Sequence, residues 1–279
     1  MDSSGKIRVY IRKRPLTRKE KRQKEIDIVD CIDDSDLIVK ELRQKLDLTK
    51  YIEEHHFRFD GAFHEGIDNI QLYSSAIVPL VQTALEGGKI CCFAYGQTGS
   101  GKTFTMLGDG SSGLISLAAK DSYANISSDV DVCVSFYEIY CGKLYDLLNG
   151  RGLVHAREDG RNNVCITGLS ERICSDQRSL EDYLQEGLNV RTTGQTGANA
   201  DSSRSHAVFT VTFKRHGAEC GKMSFIDLAG SERGADTRAG SRQTRMDGAE
   251  INKSLLALKE CIRALDRDQR HTPFRGSKL

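Results

Sequence analysis

The sequence predicts an α/β fold, a central sheet with helices on both faces, and three observations carry that expectation. Strand-like runs alternate with segments of helical period along most of the chain. An apolar run leads into a glycine-rich loop at residues 96–103. Ahead of both, residues 26–59 form short alternating runs that read as the strands of a small side lobe.

The elements follow in order. Ile7, Val9 and Ile11 alternate with Arg8, Tyr10 and Arg12, the period of a half-buried strand, and Pro15 closes it. Residues 17–25, rich in Lys and Arg but interrupted by Glu20, read as a solvated loop. The side-lobe strands meet at a charged tip, Arg43-Gln44-Lys45-Leu46-Asp47. Farther on, Ile70, Tyr73, Ile77, Leu80, Val81 and Leu85 recur at three- and four-residue spacing, which predicts a helix kinked or interrupted at Pro79 and ended by Gly87-Gly88. Residues 89–95 are almost continuously apolar and too short for an independent helix, so a strand buried on both faces is expected. Residues 130–140, 207–214 and 221–228 predict further strands, and 178–190 and 248–265 predict helices. Nothing reads as an interdomain linker, so a single domain is expected.

Composition narrows the class. The chain has 279 residues, 38% hydrophobic and 28% charged, with a net charge of +1, the profile of a soluble folded domain rather than a disordered one. No run approaches the roughly 18 apolar residues of a membrane helix. Nine cysteines, scattered and without a paired C-x-x-C set, predict reduced thiols in a core and no zinc centre. Charge is uneven, because residues 233–279 hold 11 Lys and Arg against 6 Asp and Glu. That basic segment predicts an acidic partner, and nucleic acid, an anionic membrane or an acidic protein all fit it.

Gly96-Gln97-Thr98-Gly99-Ser100-Gly101-Lys102-Thr103 fits G-x-x-x-x-G-K-[ST] directly after a strand, the context a phosphate-binding loop requires. Its glycines let successive backbone N–H groups turn toward phosphates, and the helix that follows contributes its positive end. Lys102 is expected to reach the β- and γ-phosphates and the Thr103 hydroxyl to bind Mg²⁺. In Met223-Ser224-Phe225-Ile226-Asp227-Leu228-Ala229-Gly230 a strand delivers an aspartate beside a glycine, placed to hold Mg²⁺ and sense the γ-phosphate. Other nucleotide-binding classes lack support here. The N-K-x-D signature fails because Asn252-Lys253 continues as Ser254-Leu255, and Asp227 is followed by Leu228 rather than Glu.

Residues 96–103, Asn199-x-x-Ser202-Ser203-Arg204-Ser205-His206 and Asp227-Leu228-Ala229-Gly230-Ser231-Glu232 together resemble the P-loop, switch I and switch II of the kinesin motor domain. Arg12-x-Arg14-Pro15 resembles that family's base-binding motif. The resemblance spans essentially the whole chain. It implies a P-loop NTPase fold of kinesin type, with a central mixed, mostly parallel sheet, helices on both faces and a small antiparallel side lobe. It implies ATP or ADP with Mg²⁺ as cofactors, and adenine held against Arg12, Arg14, Pro15 and Phe104. Phosphates would lie on Gly96, Gln97, Thr98, Gly99, Ser100, Gly101, Lys102 and Thr103, and Mg²⁺ on Thr103, Ser203 and Asp227. Lys102, Ser202, Arg204, Gly230 and Glu232 would serve hydrolysis, Ser202 near the attacking water and Arg204 paired with Glu232 as a latch.

Gly248-Ala249-Glu250-Ile251-Asn252-Lys253-Ser254-Leu255 and its continuation to Leu265 resemble the kinesin-13, internal-motor branch. Ile251, Leu255, Leu258, Ile262 and Leu265 mark one apolar helix face; Lys253, Lys259 and Arg263 mark the other. Lys45-Leu46-Asp47 matches the Lys-Val-Asp tip of that branch with Leu for Val, and Lys259-Glu260-Cys261 matches its second feature. The resemblance implies microtubule depolymerisation driven by ATP, with tubulin as partner, neither nucleic acid nor membrane, and a place on the cytoplasmic cytoskeleton. A translocating motor and a tubulin-binding module with little turnover are the alternatives. Arg242, Arg245, Arg267, Arg270, Arg275 and Lys278 add basic tubulin candidates. In this family the motor continues past residue 279 through a helix, a strand and a helix, so residues 1–279 are expected to be a C-terminally incomplete motor domain. Any dimerisation would use segments outside this chain.

Overall fold

Alternation at the start of the chain yields β1 (Tyr10–Arg12), shorter than the pattern from Ile7 suggests. The computed structural model describes residues 7–108, 112–160, 163–193, 202–232, 242–269 and 272–279, and for residues 202 and 242–245 it describes the backbone alone. Two compact units divide between Ala76 and Ile77.

In the first unit, the loop expected at residues 17–25 contains a short helix, α1 (Arg18–Arg22). A reciprocal cap explains it: the Thr17 hydroxyl accepts from the Glu20 N–H at 3.2 Å, and the Glu20 carboxylate accepts from the Thr17 N–H at 2.7 Å. β2 (Val29–Cys31), β3 (Asp36–Gln44) and β4 (Lys50–Arg58) make the expected antiparallel side lobe. At its tip the Lys45 N–H donates to the Thr49 carbonyl at 2.9 Å, the Asp47 carboxylate accepts from the Thr49 N–H at 3.0 Å, and Leu48 turns the chain at φ 68°. β5 (Gly61–Phe63) pairs in parallel with β1, and α2 (Asn69–Ala76) closes the unit.

The second unit begins with α3 (Val78–Leu85), so the predicted long helix is broken at Ile77. Pro79 sits in the first turn of α3, where a missing N–H costs nothing. β6 (Lys89–Ala94), α4 (Lys102–Leu107), α5 (Leu114–Asn125), β7 (Val130–Tyr140), β8 (Lys143–Asp146), β9 (Gly152–Glu158), β10 (Val164–Thr167), β11 (Arg172–Cys174), α6 (Gln177–Thr193), β12 (His206–Arg215), β13 (Ala218–Asp227) and α7 (Arg242–Asp266) follow. Eight strands form one mixed sheet in the order β10-β9-β8-β7-β12-β13-β6, with β11 beside β7. Within this sheet, and among the described residues, parallel pairing is confined to β13–β6, next to the glycine-rich loop, instead of predominating. Short turns are the reason, since a turn such as His216-Gly217, at φ 50° and 78°, reverses the chain, whereas a parallel step needs a long crossover.

The core lies on β7, β12 and β13, where Phe136 and Phe209 pack edge to face with centroids 5.4 Å apart and Phe213 and Met223 are buried. Helices α3, α4 and α6 pack on this sheet. A Cβ at Gly221 would collide with the Ala84 carbonyl, so glycine is what lets α3 approach β13. The strand buried on both faces is β12 rather than β6, which alternates between exposed and half-buried residues. β12 lies between β7 and β13, whereas β6 stands at the end of the strand order with β13 on one side. All nine cysteines are free thiols, but only Cys133 and Cys174 are buried, and Cys91, Cys141 and Cys165 are exposed, against the expectation that they fill the core.

Candidate active site

The loop between β6 and α4 is bent by glycines, with Gly96, Gly99 and Gly101 at φ 155°, 78° and 96°. Lys102, the first residue of α4, folds back so that its Nζ donates to the carbonyls of Gly96 and Gln97, each at 2.9 Å. Burial pulls the Lys102 ammonium below its ordinary pKa, against the opposing pull of Asp227 and Glu232. Thr103 donates its hydroxyl proton to Asp227 Oδ2 at 2.9 Å, which joins the start of α4 to the end of β13 as the motif requires. Phe104 follows, half exposed.

The segment after β13 is tied to this loop directly. Ser231 N–H donates to the Gly96 carbonyl at 3.1 Å, and Gly230 N–H donates to the Ser203 carbonyl at 2.8 Å. Glu232 accepts from the Thr98 N–H at 2.9 Å and from its hydroxyl at 2.5 Å. Burial would raise the Glu232 pKa, but the Thr98 hydrogen bonds and the nearby Lys102 outweigh it and hold the carboxylate ionised. A Cβ on Gly230 would strike both the Glu232 carboxylate and the Thr98 hydroxyl, so any side chain there would have to displace that pairing.

The predicted Arg204–Glu232 latch is not the pairing present. Glu232 is engaged by Thr98, and Arg204 Nη1 lies 3.8 Å from Asp247 Oδ2 on α7. Asp247 is buried and also accepts from the Tyr140 hydroxyl at 3.3 Å and the Cys141 thiol at 3.1 Å. Ser203 lies beside Arg204 in a single 3-10 turn, and the Ser202 side chain and Asn199 lie outside the described residues.

Two further residues meet the site: Arg191, which no motif marks in the sequence, and His206, which closes the switch I match without a role assigned to it there. Arg191, in the last turn of α6, donates to Ser205 Oγ at 3.3 Å and to the Ser205 carbonyl at 3.0 Å, and its Nη1 lies 3.4 Å from Asp227 Oδ2. No spacing rule links residue 191 to residue 227, although an arginine on the buried face of α6 is a sign that a carboxylate awaits it. His206 accepts at Nδ1 from the Ala229 N–H at 3.0 Å, so its Nε2 carries the proton and donates to Ser254 Oγ at 2.8 Å. Burial, aided by the Arg191 charge, pushes its pKa down to about 4 and keeps the ring neutral.

Asp227 tests whether a hydrated divalent cation fits. Its Oδ1 is buried and makes no hydrogen bond among the described residues, while Oδ2 accepts from Thr103. A carboxylate with one oxygen unengaged among the described residues and the other on a hydroxyl matches the hard oxygen donors that Mg²⁺ takes.

The remaining predicted residues fall elsewhere. Arg12 donates to the Ile67 carbonyl at 2.9 Å and to Asn69, and burial lowers its pKa. Arg14 holds Glu20 through two bonds of 2.8 and 2.6 Å and donates to the Pro15 carbonyl at 3.0 Å. Lys45, Leu46 and Asp47 form the exposed hairpin tip, Leu46 fully open to solvent and the Lys45 ammonium 5.8 Å from the Tyr51 ring. On α7, Leu255 is buried as expected, but Ala264 rather than Leu265 faces inward at its end. Lys253, Lys259 and Arg263 are exposed, Glu260 pairs with Arg263 at 2.9 Å, and Cys261 is half-buried. Arg275 holds Glu158 through two bonds of 3.0 Å, and Lys278 lies near Cys141 and Arg204. The side chains of Arg242 and Arg245, and Arg270, lie outside the described residues.

Comparison with known proteins points one way. Residues 12–279 match the family model described as the kinesin motor domain. Kinesin-like protein KIF24 of Homo sapiens is 51% identical over 281 residues, covering 98% of this chain and 20% of that protein. Kinesin-like protein KIN-13A of Oryza sativa subsp. japonica is 48% identical over 297 residues, covering 99% of this chain and 36% of that protein. A solved structure of a fast kinesin superposes with a TM-score of 0.83 at 30% identity, covering 98% of this chain and 79% of that one. The chain thus spans about a fifth to a third of the length of these curated relatives.

Proposed function

The chain is a member of the kinesin motor domain family, and from that premise we propose that it hydrolyses ATP on microtubules and, as a kinesin-13-type motor, releases tubulin from their ends. The observation that carries the branch assignment is the exposed Lys45-Leu46-Asp47 hairpin tip, held in shape by its own backbone bonds. Its setting would be the cytoplasmic cytoskeleton.

The residues at the loop suggest how nucleotide would act. Lys102 rests on two neutral carbonyls, and a phosphate chain offers the same ammonium a charged acceptor, so the lysine would transfer to it. Mg²⁺, when bound, neutralises phosphate charge, and Thr103 and Asp227 would hold it. Gly230 N–H, now spent on the Ser203 carbonyl, is the amide positioned to turn toward the γ-phosphate. That turn would draw Glu232 off Thr98 and let it take Arg204 from Asp247. The exchange connects phosphate to α7, because Asp247 belongs to α7 and Arg204 to the loop before β12. Loss of the Arg204 contact frees the start of the helix that carries Lys253, Lys259 and Arg263. A motor that binds curved tubulin more tightly than straight lattice shifts tubulin toward the curved state.

The test is sedimentation of stabilised microtubules mixed with the chain, with and without ATP. Tubulin left in the supernatant only when ATP is present is the expected result. Turnover stimulated by microtubules without release overturns the depolymerase reading and leaves the ATPase; absence of both overturns both.

A further inference from the structure

We propose that Glu138 and Arg151 are positioning residues for the Mg²⁺ end of the site, acting on Asp227 through Arg191. The proposal rests on the reading of Thr103 and Asp227 as the Mg²⁺ holders. Glu138 lies in β7, is fully buried, and has no place in nucleotide binding as described above. A buried carboxylate is retained only where charge compensates it. Arg151 does so from one side, with its Nε 2.6 Å from Glu138 Oε1. It reaches that position from a turn at φ 63°, its guanidinium 4.5 Å from the Tyr145 ring centroid. On the other side, Glu138 Oε2 makes no hydrogen bond among the described residues and lies 4.0 Å from Arg191 Nε. Arg191 in turn lies 3.4 Å from Asp227.

Arg151, Glu138, Arg191 and Asp227 therefore form a chain of alternating sign with no net charge. Arg191 is divided between two carboxylates, and in a poorly screened interior the balance depends on both. Without the Glu138 charge, Asp227 is the one of these two carboxylates left to Arg191 and the four-residue cluster is left positive; both changes oppose a divalent cation at Asp227. Without the Arg151 charge the signs reverse, because Glu138 claims more of Arg191 and leaves Asp227 more negative. A purely structural role predicts no such opposition of sign.

The experiment measures release of a fluorescent ADP analogue from the full chain against Mg²⁺ concentration, with an EDTA baseline. Glu138→Gln is expected to raise the half-saturating Mg²⁺ concentration about tenfold, the scale of losing a group that orients a metal ligand. Arg151→Gln is expected to lower it, and the double variant to return within about twofold of the parent, since its charge balance is restored. In EDTA all variants should release at the parent's rate. Single variants that both stay within about twofold of the parent, or that shift in the same direction, overturn the proposal. Should Glu138→Gln fail to fold by circular dichroism, Arg151→Gln and the double variant decide by the same signs. Parent release indifferent to Mg²⁺ would instead remove the reading of Thr103 and Asp227, and this proposal with it.

Discussion

Arg43 on the side-lobe hairpin lies 3.0 Å from Glu41 and 2.6 Å from Glu53, with side chains 37–49% exposed. Arg191 lies 3.4 Å from Asp227 and 4.0 Å from Glu138, with side chains 0–6% exposed. Each arginine faces two carboxylates, yet the two clusters differ in what their charges can do. Water screens the hairpin pairs, so each is worth about 0–1 kcal/mol and the tip is free to trade them for a partner's charges. Around Asp227 there is little water to compensate a change, so a shift at one residue is felt by the rest. Recognition suits the first setting and nucleotide sensing the second.

The sharpest way to break this comparison is to remove the buried arginine. Arg191→Met should destabilise the fold by about 3–5 kcal/mol, read as a lowered denaturant midpoint, because two carboxylates lose their shared partner. A loss as small as a surface pair's would mean the interior is better hydrated than its burial indicates. Arg204→Ala should leave ADP affinity nearly unchanged while microtubule-stimulated turnover falls on the order of a thousandfold, the scale of a charge-positioning arginine. Near-normal stimulated turnover would show that the exchange between Asp247 and Glu232 is not needed.

His206 gives a pH-dependent version of the same contrast. Its folded pKa of about 4 lies below the unfolded value of 6.5. Unfolding therefore takes up a proton between those values, and stability is complete above pH 6.5 and lost as pH falls toward 4, by about 3 kcal/mol in all. Chemical denaturation across that window should show the loss, and His206→Gln should flatten it. The smallest expected stability change belongs to the hairpin: Lys45→Ala with Asp47→Ala should move stability by no more than about 0.5 kcal/mol while abolishing ATP-dependent tubulin release. Retained release would separate the tip from that activity.

Much of the fold is legible in the residues. Period-2 alternation locates the side lobe, Pro79 marks the break between α2 and α3, and the periodicity of residues 178–190 and 248–265 marks α6 and α7. α1 escapes because a charged run resembles a solvated loop until the Thr17–Glu20 pair is recognised as a cap. β6 is overrated because an apolar run reports only what could be buried, and its position at the end of the strand order decides what is.

The glycine-rich loop, Thr103 and Asp227 are legible from the residues alone because their chemistry depends on local spacing: a turn, a helix start and a strand end. The partners across the fold are not. That Arg204 meets Asp247 rather than Glu232, that Arg191 reaches Asp227, and that Glu138 is shared between Arg151 and Arg191 are contacts between residues 13 to 53 positions apart. Local sequence determined which charges this protein carries and on which elements. Tertiary structure alone decided which of them meet, because a buried charge takes whichever counter-charge the packing brings within a few ångströms.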